Sequence, residues 1–169
     1  MAGCRLTSGL ASRRDAPPSA ADATAVGRLR AAGLIPLCST NVSELCMWLE
    51  SSNAVYGRTD NAYDPHRGVG GSSGGEGALL SACGAPVGVG ADVGGSIRIP
   101  AAFNGVFGHK PTGGLIPNTG QVRVQGEKGP ICLSQAATPP PCSTPTRRTP
   151  SSRRGPSRWP PLTSGRSSP

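Results

Sequence analysis

The sequence predicts an α/β fold, because helix-like and strand-like segments alternate between residues 22 and 121. The composition limits this prediction to part of the chain. Glycine and proline account for 25 and 18 of the 169 residues and aromatic residues for 4%, a composition that does not support one packed core throughout. No apolar run reaches the roughly 18 residues that a transmembrane helix requires, so no transmembrane helix is expected.

The first predicted elements are a helix and a short strand. Asp22 is a residue type that caps helices, the helix after it carries Val26 and Leu29, and Gly33 suits the position just past its end. The apolar segment 34–38 then predicts a buried strand. Its proline lacks a backbone N–H group and makes this an edge strand or an irregular one.

Further elements follow in chain order. Residues 43–50 predict a helix with apolar side chains on one face, and residues 51–75 are rich in turn-forming types. A short helix is predicted over 76–83, a buried strand over 86–91 and the start of another helix over 96–103. This alternation is the basis of the α/β prediction.

The two ends of the chain differ from this middle region. Residues 1–21 are predicted to be unstructured. Residues 122–169 hold eight basic residues and one acidic residue, whereas residues 1–121 hold nine and eight. Because this proline-, serine- and arginine-rich segment cannot offset its ordering entropy by burial, we predict a disordered tail after a partial domain over 22–121.

The basic tail offers an alternative function. Its arginine-rich segment 147–158 is a candidate surface for nucleic acid or other acidic partners. A solvated segment without function is the preferred interpretation of such a charge run. Nucleic-acid binding is therefore not expected.

Metal and cofactor sites are not expected either. The six cysteines contain no CxxC pair, and His66 and His109 are isolated in the sequence. The first 20 residues lack the apolar core of a signal peptide. Free thiols in a reducing compartment follow as the default, so a cytoplasmic or peripheral membrane location is expected.

Two loops rich in glycine and serine carry the candidate chemistry. The run 70–75 leads into a predicted helix, and the run 94–96 stands at another strand-to-helix turn, with Ser96 24 residues after Ser72. Such backbone can pass close to other groups and present N–H groups outward. One run alone is typical of a linker, but two at equivalent junctions make a functional site an equally good interpretation. The spacing excludes a Walker A loop and a dinucleotide-binding glycine pattern, and the sequence shows no GxSxG elbow with a paired His and Asp.

The second loop has the groups that an acyl-transfer site needs. Ser96 can present a hydroxyl group, and neighbouring N–H groups can stabilise an oxyanion. These donors would be Val93, Gly94 and Gly95. Asp92 and Arg98 flank the turn and are predicted to brace it.

The two serine loops and the segments around them resemble a known family. The segment from Gly70 to Ala101, with GGSSGGEGA followed by GVGADVGGSIRIPA, resembles the complete signature of the amidase-signature serine hydrolases. The flanking segments 40–48, 51–73 and 103–121 resemble the type-2 branch of the fatty-acid amide hydrolases. The resemblance covers residues 22–121 and implies the family's α/β fold, a mixed central sheet flanked by helices.

The resemblance also implies a role for each motif residue. Ser96 would be the nucleophile, and Ser72, at a cis peptide bond, would relay a proton between Ser96 and the leaving amine. Backbone N–H groups would form the oxyanion hole, namely those of Val93, Gly94, Gly95 and Ser96. Asp92, with Ser73 and Arg98, would support the loops. Cys46 and Met47 would lie near the acyl pocket, with ordinary helix core as the alternative interpretation.

The substrate and the catalytic base follow from the same resemblance. It implies a small-molecule amide substrate, with fatty-acid amides as the class, and a homodimer in the full-length family. The family's base is a lysine upstream of the matching region, whereas Lys110 and Lys128 both follow Ser96. Lys110 matches a structural lysine of the family. Because losing a general base typically costs about 10²- to 10⁴-fold in rate, we expect a truncated amidase that is inactive or weak.

Overall fold

The computed structural model describes residues 1–122 and the backbone of residues 133–135. Within this part of the chain, helices and strands alternate as predicted. The helices are α1 (Thr24–Ala31), α2 (Gly74–Ser81) and α3 (Arg98–Asn104), and the strands are β1 (Ser52–Asn53), β2 (Gly57–Arg58), β3 (Val89–Ala91) and β4 (Leu133–Gln135). Two short 3-10 turns cover Ala11–Arg13 and Glu44–Cys46.

The strands form two antiparallel pairs. In the first, Ser52 lies opposite Arg58. In the second, β3 pairs with β4, so that Val89 lies opposite Gln135 and Ala91 opposite Leu133. The strand predicted over 86–91 is therefore present as the shorter β3, and it leads directly into the Asp92 turn.

The core lies where α2 packs against α3. Leu80, Ala101 and Val106 form the buried apolar cluster. A Cβ atom on Gly77 would lie 2.7 Å from the side-chain nitrogen of Asn104, so the absence of a side chain allows α2 to approach α3 this closely. The core thus fixes the starting points of the two helices that follow the serine loops.

The helix predicted after Asp22 is present as α1, but Asp22 does not cap it. The N-cap residue is Ala23, which makes no side-chain cap hydrogen bond. The Asp22 carboxylate instead accepts a 2.7 Å hydrogen bond from the Ala2 N–H group and pairs with Arg30 at 2.8 Å. These contacts hold the start of the chain against α1.

Two predicted elements are not formed. Residues 34–38 run without strand pairing, with Ile35 83% exposed. Residues 43–50 make only the short turn Glu44–Cys46, in which Leu45 and Cys46 have positive φ values of 52° and 58°. Positive φ values are incompatible with an α-helix, and the Ser43 hydroxyl lies 2.8 Å and 2.7 Å from the carbonyl oxygens of residues 48 and 50 in the turn that forms instead.

Residues 1–21, predicted to be unstructured, are folded against the rest of the chain. Arg5 pairs with Pro18 in an isolated bridge. The Leu45 N–H group donates to the Ser8 carbonyl at 2.8 Å, and the Arg14 side chain donates to the Ala54 carbonyl at 2.9 Å. Contacts to residues more than 30 positions away supply the structure that local sequence pattern did not predict.

The predicted disordered tail is described only in part. Residues 133–135 of the segment 122–169 form β4 against β3, which differs from the prediction. Residues 123–132 and 136–169, including the basic segment 147–158, lie outside the described residues. None of the helices in the described ranges is long and apolar enough to cross a bilayer.

Candidate active site

A cleft of about 800 Å³ contains both predicted catalytic serines. Ser72 and Ser96 line it together with Ser73 and Val93, and Cys46 and Met47 lie on the same walls. Gly94, Gly95, Asp92 and Arg98 are not among its lining residues. The structure therefore brings the two serines and both predicted pocket residues to one cavity.

The Ser72 loop has an unusual backbone. The Gly71–Ser72 peptide bond is cis, and Gly70 has a φ value of +81°. Ser72 is fully buried, and its hydroxyl oxygen has no hydrogen-bond partner among the described residues. A buried hydroxyl without a partner at the wall of a cleft is available for a bound molecule.

Hydrogen bonds from a preceding segment hold this loop. The Ser51 hydroxyl accepts from the Gly74 N–H group at 2.7 Å and lies 3.1 Å from the carbonyl oxygens of Gly70 and Ser72. The Gly70 N–H group donates to the Glu50 carboxylate at 3.0 Å. A Cβ atom on Gly71 would lie 2.7 Å from a backbone carbonyl oxygen, that of Trp48, so close packing completes the support.

Ser73 joins the two serine loops. Its N–H group donates to the Ser96 carbonyl at 3.0 Å. Its hydroxyl accepts from the Ala91 N–H group at 3.3 Å and lies 3.4 Å from the Ala91 carbonyl. Through these contacts Ser73 places the residue before it, Ser72, beside the loop that carries Ser96.

The Ser96 loop is organised around a buried carboxylate. Asp92 accepts hydrogen bonds from the N–H groups of Gly95 (2.7 Å), Ile97 (3.2 Å) and Arg98 (3.2 Å). The Arg98 guanidinium adds two more, at 2.9 Å and 3.0 Å. Burial raises the pKa of Asp92, but these hydrogen bonds, with that of the Arg98 side chain foremost, outweigh burial and hold the pKa well below its usual range.

Lys110 completes this arrangement from another segment. Its ammonium group donates to the Val93 carbonyl at 2.8 Å and lies 3.7 Å from Asp92. Lys110 thus fixes the peptide group between Val93 and Gly94. Of the four N–H groups predicted to form the oxyanion hole, that of Gly95 donates to Asp92. Those of Val93, Gly94 and Ser96 make no hydrogen bond to the described residues.

Glu76 is a cleft residue that sequence reasoning missed. It lies in the first turn of α2 and accepts hydrogen bonds from the Thr40 side chain and the Val89 N–H group. Burial raises the pKa of this carboxyl group, and these two hydrogen bonds lower it by less. A Cβ atom on Gly88 would lie 2.4 Å from a Glu76 oxygen, so Glu76 packs tightly between α2 and β3.

The N-terminal wall and the supports of the Ser72 loop were also missed. Residues 4–8 line the cleft, and Ser43 and Ser51 are fully buried. No local signal marks these positions, because a serine in a turn-rich segment is usually exposed. The polar spacing of residues 51–75 predicted turns but not which side chains point inward.

The described residues contain no group of three or more His, Cys, Asp or Glu side chains that could hold a metal ion. The groups present in and beside the cleft include hydroxyls, backbone N–H donors, the Glu76 carboxyl group and the buried Asp92 carboxylate. Such an arrangement can deliver a serine oxygen to a carbonyl carbon and stabilise the resulting oxyanion.

Comparisons with known proteins agree on one family. The sequence pattern of the Amidase family matches residues 1–137. Human fatty-acid amide hydrolase 2 is 61% identical over 115 residues, which cover 68% of this chain and 21% of that protein. Fatty-acid amide hydrolase 2-A of Danio rerio is 59% identical over the same shares of the two chains. The chain therefore spans about a fifth of the length of these curated relatives.

Solved structures extend the comparison to the fold. The peptide amidase of Stenotrophomonas maltophilia superposes with a TM-score of 0.58 and 39% identity, covering 60% of this chain and 22% of that one. A 6-aminohexanoate cyclic dimer hydrolase bound to its substrate gives 0.60 and 38%, covering 62% and 22%. The α/β prediction and the resemblance are both confirmed. The chain belongs to the amidase family, of which it carries the segment with both serine loops.

Proposed function

We propose that this chain supplies the serine-bearing part of an active site that hydrolyses amide bonds, with fatty-acid amides as the substrate class. The observation that carries the proposal is that Ser72 and Ser96 line one cleft and are linked through the Ser73 N–H group. The names of the curated relatives, two of them fatty-acid amide hydrolases 2 and 2-A, support the substrate class.

In the proposed reaction, the Ser96 oxygen attacks the amide carbonyl carbon and its proton passes to Ser72. The N–H groups of Val93, Gly94 and Ser96 stabilise the negative oxygen of the tetrahedral intermediate. As Ser72 accepts the Ser96 proton, it gives its own hydroxyl proton to the leaving amine nitrogen, and the carbon–nitrogen bond breaks to give an acyl ester on Ser96. Water attacks this ester, releases the acid and restores the serine.

Asp92, Arg98 and Lys110 act as positioning residues in this scheme. They hold the loop from Val93 to Ser96 without touching the substrate, since Asp92 is fully buried and Lys110 is engaged with the Val93 carbonyl. A fixed set of donors stabilises a transition state better than donors that must reorganise. Lys110 therefore has a structural use and is not the proposed base.

The apolar part of the cleft supports an acyl chain as ligand. Its walls include Leu37, Val42, Leu45 and Met47, and Leu37 and Met47 are 64% and 66% exposed. Covering such side chains with a hydrocarbon removes apolar surface from water, which contributes about 25 cal/mol per Å². No lysine lines the cleft within the described residues, so we expect weak turnover by this chain alone.

Labelling with a fluorophosphonate probe tests the assignment. The probe should form its adduct on Ser96, slowly in this chain, and Ser96→Ala should remove it. Ser72→Ala should slow labelling by about 10²-fold or more, because the proton relay is lost. Ser52→Ala, at an exposed serine of β1, is the matched control and should label like the parent chain.

Two results would contradict the proposal. An adduct that persists at the same level in Ser96→Ala would exclude Ser96 as the nucleophile. Rapid stoichiometric labelling, together with fast hydrolysis of a long-chain amide, would show that this chain does not need a further base.

A further inference from the structure

Three free cysteines line the cleft, and one of them lies beside the buried serine. Cys4, Cys38 and Cys46 are all lining residues without a disulfide partner among the described cysteines. Cys46 stands at the end of the turn Glu44–Cys46 and lines the same cleft as Ser72. Ser43 joins the two residues, since the Cys46 N–H group donates to the Ser43 carbonyl at 2.9 Å and the Ser43 N–H group donates to the Ser72 carbonyl at 3.3 Å.

The surroundings of Cys46 combine access with an apolar wall. The residue is exposed to solvent, and Leu45 and Met47 flank it on the cleft wall. The Ser72 hydroxyl is fully buried and has no described partner. The cleft therefore offers a soft nucleophile, an unused hydroxyl donor and apolar surface in one place.

We propose that Cys46 is a covalent modification site for soft electrophiles that carry an apolar tail, with α,β-unsaturated carbonyl compounds as the class. The tail occupies the apolar part of the cleft, the Ser72 hydroxyl donates to the carbonyl oxygen, and the thiol adds to the carbon–carbon double bond. This site shares Ser72 and the apolar wall with the proposed amide chemistry, but the addition to Cys46 does not require hydrolysis.

The addition is balanced without a further reactant. The Cys46 sulfur forms a bond to the β carbon, and the electron pair of the double bond moves to the α carbon. That carbon takes up the proton released by the thiol. The product is a thioether that fills the cleft next to Ser72.

Selectivity must come from binding in the cleft. Although Cys46 has solvent-exposed surface, the cleft walls around its thiol partly exclude water and raise the pKa of Cys46, and the Ser72 hydroxyl lowers it by less. A raised thiol pKa lowers the fraction of reactive thiolate at neutral pH. A small electrophile therefore has no reason to prefer Cys46, whereas one with a long apolar tail gains local concentration there.

Competition between two cysteines of the same chain tests the proposal. The full-length chain is treated with N-ethylmaleimide or N-octylmaleimide, and adducts are quantified by peptide mass spectrometry. Cys83 is the internal control, because it is also exposed and does not line the cleft. The ratio of labelling rates, Cys46 over Cys83, should rise about tenfold or more from ethyl to octyl, which corresponds to burial of about two of the six added methylenes.

Other outcomes overturn the proposal. An unchanged ratio would show that the cleft does not bind the tail, and preferential octyl labelling of Cys4 or Cys38 would place the site elsewhere. Cys46→Ser should remove the chain-length-dependent adduct while Cys83 keeps its rate. If Cys83 reacts faster in Cys46→Ser than in the parent chain, that variant is misfolded. The ratio of Cys46 to Cys83 labelling rates in the parent chain then tests the proposal by itself.

Discussion

The two serine loops of the cleft are held in different ways. The Ser96 loop is supported by charge. The Asp92 carboxylate accepts hydrogen bonds from three backbone N–H groups of the loop and lies beside two cationic side chains, those of Arg98 and Lys110. The Ser72 loop is supported mainly by the Ser51 hydroxyl and by close packing against backbone near Trp48, with one hydrogen bond to a carboxylate, that of Glu50. The Ser96 loop should therefore be sensitive to charge and pH, and the Ser72 loop to added volume.

Removing the Asp92 carboxylate should have the largest effect. Asp92→Ala leaves buried N–H groups without an acceptor and two cations without their partner, and loss of one member of a buried ion pair typically costs about 3–5 kcal/mol. We expect the lower end of that range, because the Arg98 side chain is half exposed. Urea unfolding measures the change, and a loss below about 1 kcal/mol would argue against the charged support.

Adding one methyl group to each loop compares the two directly. Gly71→Ala would place a Cβ atom 2.7 Å from the Trp48 carbonyl oxygen and 2.8 Å from the Glu50 nitrogen, whereas Gly94→Ala meets nothing within 4 Å. Overpacking of this kind costs about 1–3 kcal/mol, so Gly71→Ala should lower the free energy of unfolding by about that amount. Gly94→Ala should change it by less than about 0.5 kcal/mol. Equal losses would contradict the difference in packing.

The Ser51 hydroxyl gives a smaller test of the Ser72 loop. Ser51→Ala leaves the buried Gly74 N–H group without its acceptor, at a cost of about 1–2 kcal/mol. Ser52→Ala, at the exposed neighbour, is the control and should leave the unfolding free energy nearly unchanged. If both variants behave alike, Ser51 does not support the loop.

Glu76→Gln should give the smallest effect, and it should stabilise the chain, whereas the preceding variants destabilise it. Since burial raises the pKa of Glu76 in the folded chain above its ordinary value of 4.5, its contribution to stability is complete below pH 4.5 and is lost as pH rises through the folded pKa. Glu76→Gln keeps a neutral group of the same shape, so we expect an increase in Tm of about 2–4 °C at pH 7. The increase should disappear below pH 4.5, and a constant difference at all pH values would contradict the raised pKa.

Much of the candidate site could be predicted from sequence because its motif residues are local. Asp92, Arg98 and Ser96 lie within seven positions, and their glycine-rich spacing identified the loop and the family. The supports of Ser72 could not be predicted in this way, because Ser43 and Ser51 come from about 20 to 30 residues earlier in the chain and have no distinctive spacing. Contact across the fold, not local pattern, decides which of the many serines is buried.

The elements of the fold also differ in whether local sequence or distant contacts determine them. α1, α2 and α3 are present close to their predicted positions, but the helix predicted over 43–50 fails because Leu45 and Cys46 have positive φ values, which an α-helix does not allow. The N-terminal residues have no periodic pattern and still form a wall of the cleft. Their order depends on partners such as Leu45 and Ala54, which no local window contains.

Charge holds the Ser96 loop and packing holds the Ser72 loop, and the pH dependence of two stability differences distinguishes these two kinds of support. The low pKa of Asp92 in the folded chain means that its contribution is present above its ordinary value of 3.8 and is lost as pH falls further. The difference in unfolding free energy between the parent chain and Asp92→Asn should therefore be constant from pH 7 to about 5 and shrink below 3.8, while the difference for Ser51→Ala stays constant. Parallel curves for the two variants across this range would contradict the claim.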